Sequence, residues 1–260
     1  MADEIIRRDM SKFTQRFGPK PIFAGVYPTG DEPVKRMLEE IAILADEKVT
    51  AVYLENVNKT PEDIRHIKEV LELFNDPDVF LGDIQIGVNI LPDHHGKEYQ
   101  LAFKLAKKYG LSFIALDMIA GPHMINQEIM EIDAQGYRQK RKNNIDIIVL
   151  GGICPPYSQL VDPMKSVAYL KQAAGRSDAV LVKAQKGEEI PLERIIDYRN
   201  HLESKSLVGA SNLTKKNMPR YAPVLDGFII GSGLRDDARN LHVPTIREIN
   251  AIVSDYREYS

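Results

Sequence analysis

Short apolar segments alternate with amphipathic stretches from one end of this chain to the other, and that alternation restricts the possible folds more than any single motif. The apolar segments are Ile22–Val26, Ala51–Leu54, Ile84–Ile90, Phe113–Asp117, Ile145–Leu150, Ala179–Val182, Leu207–Gly209 and Gly227–Ile230. Their near-continuous Val, Ile, Leu and Phe content is what strands buried on both faces require. The stretches between them read as helices, near 32–46, 61–74, 97–109, 128–142, 163–174, 191–202, 215–221 and 245–259. Thr60-Pro61-Glu62-Asp63 supplies a capping residue, a proline at the first helical position and acids in the first turn. Ile64, Ile67, Leu71 and Phe74 then recur at spacings of three and four. Eight strand–helix repeats predict a closed eight-stranded parallel (β/α)8 TIM barrel rather than an open doubly wound sheet. With 260 residues and no low-complexity linker, the expectation is one barrel domain over 1–260, with residues 1–20 as an N-terminal extension.

Composition narrows the partners. A net charge of −3 gives no general basic field, and Arg138–Lys142 (RQKRK) falls in a helix-like stretch where it reads as a solvated face. Nucleic acid is therefore not expected. The single cysteine, Cys154, excludes an intrachain disulfide and fits a reducing compartment. The first residues lack the apolar core of a secretory signal and no stretch of ~18 apolar residues exists, so the chain reads as cytoplasmic, any membrane contact being peripheral. No distinctive apolar seam marks an oligomer interface, and a homo-oligomer stays open.

In a barrel the chemistry belongs at the carboxyl ends of the strands. Glu55 and Asn56 follow the second strand, Asn89 and Asp93 the third, and Asp117 ends the fourth. Carboxylates and amides converging on one mouth supply acid and base groups and hydrogen bonds that orient a sugar. Asp93, His94 and His95 read as a polar loop rather than a metal site, because adjacent histidines do not readily bind one ion together; no metal or cofactor is expected. His123 lies in a long segment able to fold over the mouth, as a ligand or acid–base group or as part of the loop. Cys154 reads as structural. Lys183 terminates the sixth strand, where a desolvated lysine can form a Schiff base; an anchor for a substrate anion is the alternative. Asp178–Lys183 with Lys186-Gly187 resembles the lysine segment of the deoxyribose-phosphate aldolase group, although the second lysine of that group is absent from Leu207–Ser211.

The last two strands run into small-residue turns, Gly209-Ala210-Ser211-Asn212 and Gly231-Ser232-Gly233. Backbone N–H groups at such turns, opening helices in the final two repeats, suggest the two walls of a phosphate site.

Three longer segments carry a family resemblance: AVYLENVNKTP, IGVNILPDHHGKEYQLAFKLAKKYGLSFIAL, and VGASNLTKKNM followed by DGFIIGSGLRDDARNLHVPTIREI. Together they resemble the BtpA family, known for a photosystem I biogenesis protein and for bacterial relatives described as candidate nucleosidases. Departures fall at Asn126-Gln127-Glu128, at GGICPPYS and at Lys183. The resemblance implies a barrel with Glu55, Asn56, Asn89 and the closing glycine turns in shared positions. The resulting expectation is an enzyme acting on a phosphorylated sugar or nucleoside-like molecule, cleaving a glycosidic or related bond with Glu55 or Asp117 as acid or base. Asn56, Asn89, Asp93 and His123 would bind substrate. The alternatives are a Schiff-base aldolase using Lys183 and a non-catalytic assembly or regulatory factor.

Overall fold

The computed structural model describes residues 11–76, 82–91, 96–153, 155–185, 187–202, 204–236 and 239–257. Its strands in chain order are β1 (Ile22–Val26), β2 (Ala51–Glu55), β3 (Gln85–Asn89), β4 (Phe113–Leu116), β5 (His123–Ile125), β6 (Glu128–Met130), β7 (Ile148–Gly152), β8 (Gln159–Leu160), β9 (Ala179–Lys183), β10 (Ser206–Ala210) and β11 (Gly227–Ile230). Eight of them close a barrel in the order β1-β11-β10-β9-β7-β4-β3-β2, every pairing parallel. The three short strands β6-β5-β8 form a separate antiparallel sheet. Around the barrel run α2 (Pro33–Asp46), α3 (Pro61–Leu73), α4 (Glu98–Tyr109), α5 (Ala134–Lys142), α6 (Ser166–Arg176), α7 (Leu192–Leu202), α8 (Met218–Tyr221) and α9 (Val243–Arg257), preceded by α1 (Lys12–Phe17). Among the described residues no helix is long and apolar enough to cross a membrane.

Two cores result from the period-two alternation of buried strands. One set of side chains meets the helices, including Ile22, Val52, Leu54, Ile114 and Val180. The other fills the barrel: Phe23, Ala51, Tyr53, Phe113, Ala115, Ile148, Leu150, Ala179, Leu181 and Val208. Phe13 and Phe17 of α1 join this inner set from the foot of the barrel, their rings within 4.9–6.0 Å of those of Phe23 and Phe113. Each buried phenylalanine contributes roughly 1.5–3 kcal/mol, so α1 acts as a plug.

Thr60 caps α3 as its sequence suggests, Oγ1 accepting from Asp63 N. Elsewhere the boundaries shift. The fifth barrel strand starts at Ile148 rather than Ile145, because Ile148 is the residue that pairs with Phe113 while Ile145 stays exposed. The helix expected over 128–142 is confined to α5; its first part is β6 instead. Asn126 and Gln127 both take positive φ, 49° and 67°, which makes a two-residue hairpin turn of the type that suits strand twist, and Asp133 then caps α5 by accepting from Gly136 N. The helix expected over 215–221 keeps only its last turn, since the Asn217 side chain holds Thr214 N and Pro219 enters at the helix start.

Candidate active site

The inward-facing series of three strands end in polar groups at the same level of the barrel. Ala51 and Tyr53 lead to Glu55, Phe113 and Ala115 to Asp117, and Ala179 and Leu181 to Lys183. Glu55 pairs in register with Asn89. Once the apolar filling stops, these ends open on a cavity of about 280 Å³.

The Asn89 amide bridges the two carboxylates, Nδ2 donating to Glu55 Oε2 at 2.6 Å and to Asp117 Oδ1 at 3.3 Å. Lys183 Nζ donates to Asp117 Oδ1 at 2.6 Å, and Tyr157 OH to Asp117 Oδ2 at 2.9 Å. The Lys183–Asp117 pair is deeply buried, with side chains 9 % and 4 % exposed. Above it, the Lys59 ammonium lies 4.5 Å from the centre of the Tyr157 ring, linking the loops after β2 and β7 across the mouth.

These neighbours drive the two acids apart. Burial, reinforced by the negative charge of Asp117, pushes Glu55 up to about 7, against the Asn89 hydrogen bond and the charges of Lys183 and Lys59. Burial acts on Asp117 in the same sense, but there the Lys183 charge, with hydrogen bonds from Lys183, Tyr157 and Asn89, outweighs it and holds the carboxyl below its ordinary value. Two carboxyl groups joined by one amide are thus shifted in opposite directions, Glu55 upward and Asp117 downward.

The last two turns line the same cavity through Ala210, Ser211, Asn212, Gly231 and Ser232. Gly209 and Gly233 lie behind them. A Cβ on Gly209 would strike Leu225, and one on Gly233 would run into the Leu213 carbonyl, so the two turns touch at a point where only glycine fits. Ser211 and Asn212 adopt positive φ, 81° and 52°. Among the described residues, nothing accepts from the backbone N–H groups of Ser211, Asn212, Leu213, Ser232 or Gly233. The helices after the turns are short, four residues of α8 and a three-residue 3-10 turn, so any anion here would be held by free N–H groups rather than by a long helix dipole. Arg235 braces the second turn. Its guanidinium binds both Glu40 oxygens at 2.6 and 2.7 Å, donates to Gly25 O at 3.0 Å and stacks on the Tyr27 ring.

Not every candidate reaches the cavity. Asn56 is buried and spends its Oδ1 on Leu91 N at 2.7 Å, tying the exits of β2 and β3 together. His123 is fully buried under the small sheet: Nε2 donates to Ala120 O at 3.1 Å and Nδ1 shares a hydrogen bond with Ser158 Oγ, while burial lowers its affinity for a second proton. It pins the start of β5 to the segments that follow β4 and β7. Asp93, with His94, His95 and Cys154, lies outside the described residues. Among the described residues no group of three His, Cys, Asp or Glu side chains is arranged to hold a metal.

Sequence reasoning overlooked three tyrosines. Tyr53 could have been found by stepping back two residues from Glu55 on the inward face, and Tyr27 by its place just past β1. Burial raises the pKa of both, with the Glu55 charge adding to it, and their hydroxyls crowd the space that the missing Gly25 side chain leaves open. Tyr157 had no such signal, since its contact depends on how the loop after β7 folds back.

The BtpA family model matches residues 31–256, which takes in the cavity wall except Tyr27. The chain belongs to the BtpA family. No curated protein matches it. Among solved structures this BtpA protein is similar to phosphoribosylanthranilate isomerase from Thermotoga maritima, at 10 % identity and a TM-score of 0.57 over 91 % of this chain and 99 % of that one. N-(5′-phosphoribosyl)anthranilate isomerase from Pyrococcus furiosus gives 13 % and 0.56 over 91 % and 99 %. Tryptophan synthase from M. tuberculosis gives 12 % and 0.60 over 95 % and 99 %. Identities this low show a shared TIM-barrel fold and nothing finer.

Proposed function

We propose that this BtpA protein is an enzyme that cleaves a glycosidic-type bond in a phosphorylated sugar or nucleoside-like small molecule, with Glu55 as the proton donor. The observation that carries the reading is the split acid pair, Glu55 pushed up to about 7 and Asp117 held below its ordinary value, in a cavity also lined by Ser211, Asn212 and Ser232, whose backbone N–H groups meet no acceptor among the described residues. Such N–H groups suit phosphate oxygens. The fold neighbours named for phosphoribosyl anthranilate agree with that ligand class.

In this scheme the phosphate sits against the Ser211 and Ser232 turns, and the bond to be broken lies at Glu55. Glu55 donates its proton as the bond between the sugar carbon and the leaving atom breaks, the electron pair departing with the leaving group. Water then adds to the sugar carbon and returns a proton to Glu55. Asp117, saturated by Lys183, Tyr157 and Asn89, is the fixed anion that keeps the Glu55 proton in place at neutral pH. The Lys183–Asp117 contact also argues against a Schiff base, because Nζ is already committed to a buried carboxylate at 2.6 Å.

The test is release of a free sugar phosphate from a panel of ribosyl phosphates and nucleoside monophosphates. Glu55→Gln is expected to lower the rate on the order of 10²–10⁴-fold with little change in KM. A Glu55→Gln enzyme as fast as wild type would sink the assignment, and borohydride trapping of substrate on Lys183 would replace it with the aldolase reading.

A further inference from the structure

The Asn89 amide holds an acceptor that the protein does not use. Both hydrogen bonds from Nδ2 go to carboxyl oxygens, and turning the amide over would set Oδ1 against the Asp117 carboxylate, which holds the amide this way round. Among the described residues no donor reaches Oδ1, although Asn89 is only 5 % exposed and lines the cavity. A buried acceptor left unpaired is costly, and it calls for a donor from whatever fills the cavity. A phosphate dianion has none to give. A sugar hydroxyl does.

Place narrows the choice of hydroxyl. The amide is bonded directly to the Glu55 carboxylate at 2.6 Å, so its oxygen lies one amide width from the group that meets the leaving atom. The hydroxyl next to the reacting carbon is the one that falls there, and hydrogen bonds to it strengthen as positive charge develops on the sugar ring. The cavity, about 280 Å³, is at the small end for a ligand site, which suits a five-carbon sugar phosphate with its leaving group directed at the mouth.

We infer that Asn89 Oδ1 accepts the 2-hydroxyl of a ribosyl phosphate, and that the site selects ribosyl over 2-deoxyribosyl substrates. This rests on the sugar-phosphate reading above. A site built to hydrogen-bond a hydroxyl rejects the analogue that lacks it, because its own polar group is then stranded.

The experiment is calorimetric titration of the full-length protein with three probes: ribose 5-phosphate, 2-deoxyribose 5-phosphate and inorganic phosphate. Ribose 5-phosphate is expected to bind about ten- to a hundredfold more tightly than the deoxy sugar. Asn89→Ala is expected to collapse that ratio, with inorganic phosphate titrated in parallel to report whether the anion wall is intact. Equal affinity for the two sugars in the wild-type protein would overturn the role of Asn89 and leave the phosphate reading standing. Failure of all three probes to bind would overturn that reading itself and this inference with it. Should the alanine variant not fold, the wild-type ratio alone still decides.

Discussion

Lys183→Met removes the cation from a carboxylate that cannot reach bulk water. In the wild-type protein Asp117 takes hydrogen bonds from Lys183 at 2.6 Å, Tyr157 at 2.9 Å and Asn89 at 3.3 Å, with its side chain 4 % exposed. Breaking a buried pair by deleting one partner costs about 3–5 kcal/mol, and the two surviving donors place this case toward the lower figure, about 3 kcal/mol. For a chain of this size that corresponds to a fall in Tm of roughly 6–12 °C. The loss also has a pH signature. With Lys183 present the folded-state pKa of Asp117 is depressed, so its contribution to stability is in force above the unfolded value near 3.9 and disappears as pH falls through the folded one. Without Lys183, burial dominates and raises the folded-state pKa, so the variant regains stability on acidification as Asp117 takes up a proton. Thermal melts from pH 5 to pH 8 are therefore expected to show the largest gap between wild type and variant at the alkaline end, narrowing toward pH 5. A gap below 1 kcal/mol, or one that does not change with pH, would refute the buried ion pair as the support of this site. Replacing both partners, Asp117→Asn with Lys183→Met, is expected to recover part of the loss, since no uncompensated charge then remains.

Glu55→Gln is expected to stabilise the protein at pH 8 by up to about 3 kcal/mol, because wild-type Glu55 is held at about 7 against an ordinary 4.5 and its ionisation in the folded state is penalised. The raised folded value means that this gain fades as pH falls from 7 to 4.5, which urea unfolding at several pH values will follow; a gain that persists at pH 4 contradicts the assignment. Gly233→Ala forces a methyl group into the Leu213 carbonyl, and a loss of about 1–3 kcal/mol by denaturant titration is expected together with at least tenfold weaker phosphate binding. Unchanged phosphate affinity in a folded Gly233→Ala protein would separate the turns from the anion site.

Much of the barrel was legible because its strands are buried on both faces, which writes a continuous apolar run into the sequence, and because Thr60-Pro61 punctuates a helix start without help from elsewhere. The small sheet over β4 was not, since Glu128–Met130 carries a pattern short enough for either helix or strand, and the left-handed turn at Asn126 and Gln127 decided between them. In the site, Glu55, Asn89, Asp117 and Lys183 could be named because each stands at the carboxyl end of a barrel strand. Asn56 and His123 carry the same signal of a polar residue near the mouth, but hydrogen bonds to Leu91 N and Ala120 O turn them into fasteners.

By itself the chain determined where apolar faces must be hidden, hence the eight-fold alternation, the barrel and the end of it where polar groups gather. Periodicity along a backbone is a local property, and burial follows from it. Only the closed structure decided which of two similar acids is pushed above its ordinary pKa and which is held below it. That depends on distances between side chains 28 to 66 residues apart, and on a single lysine reaching Asp117 rather than Glu55.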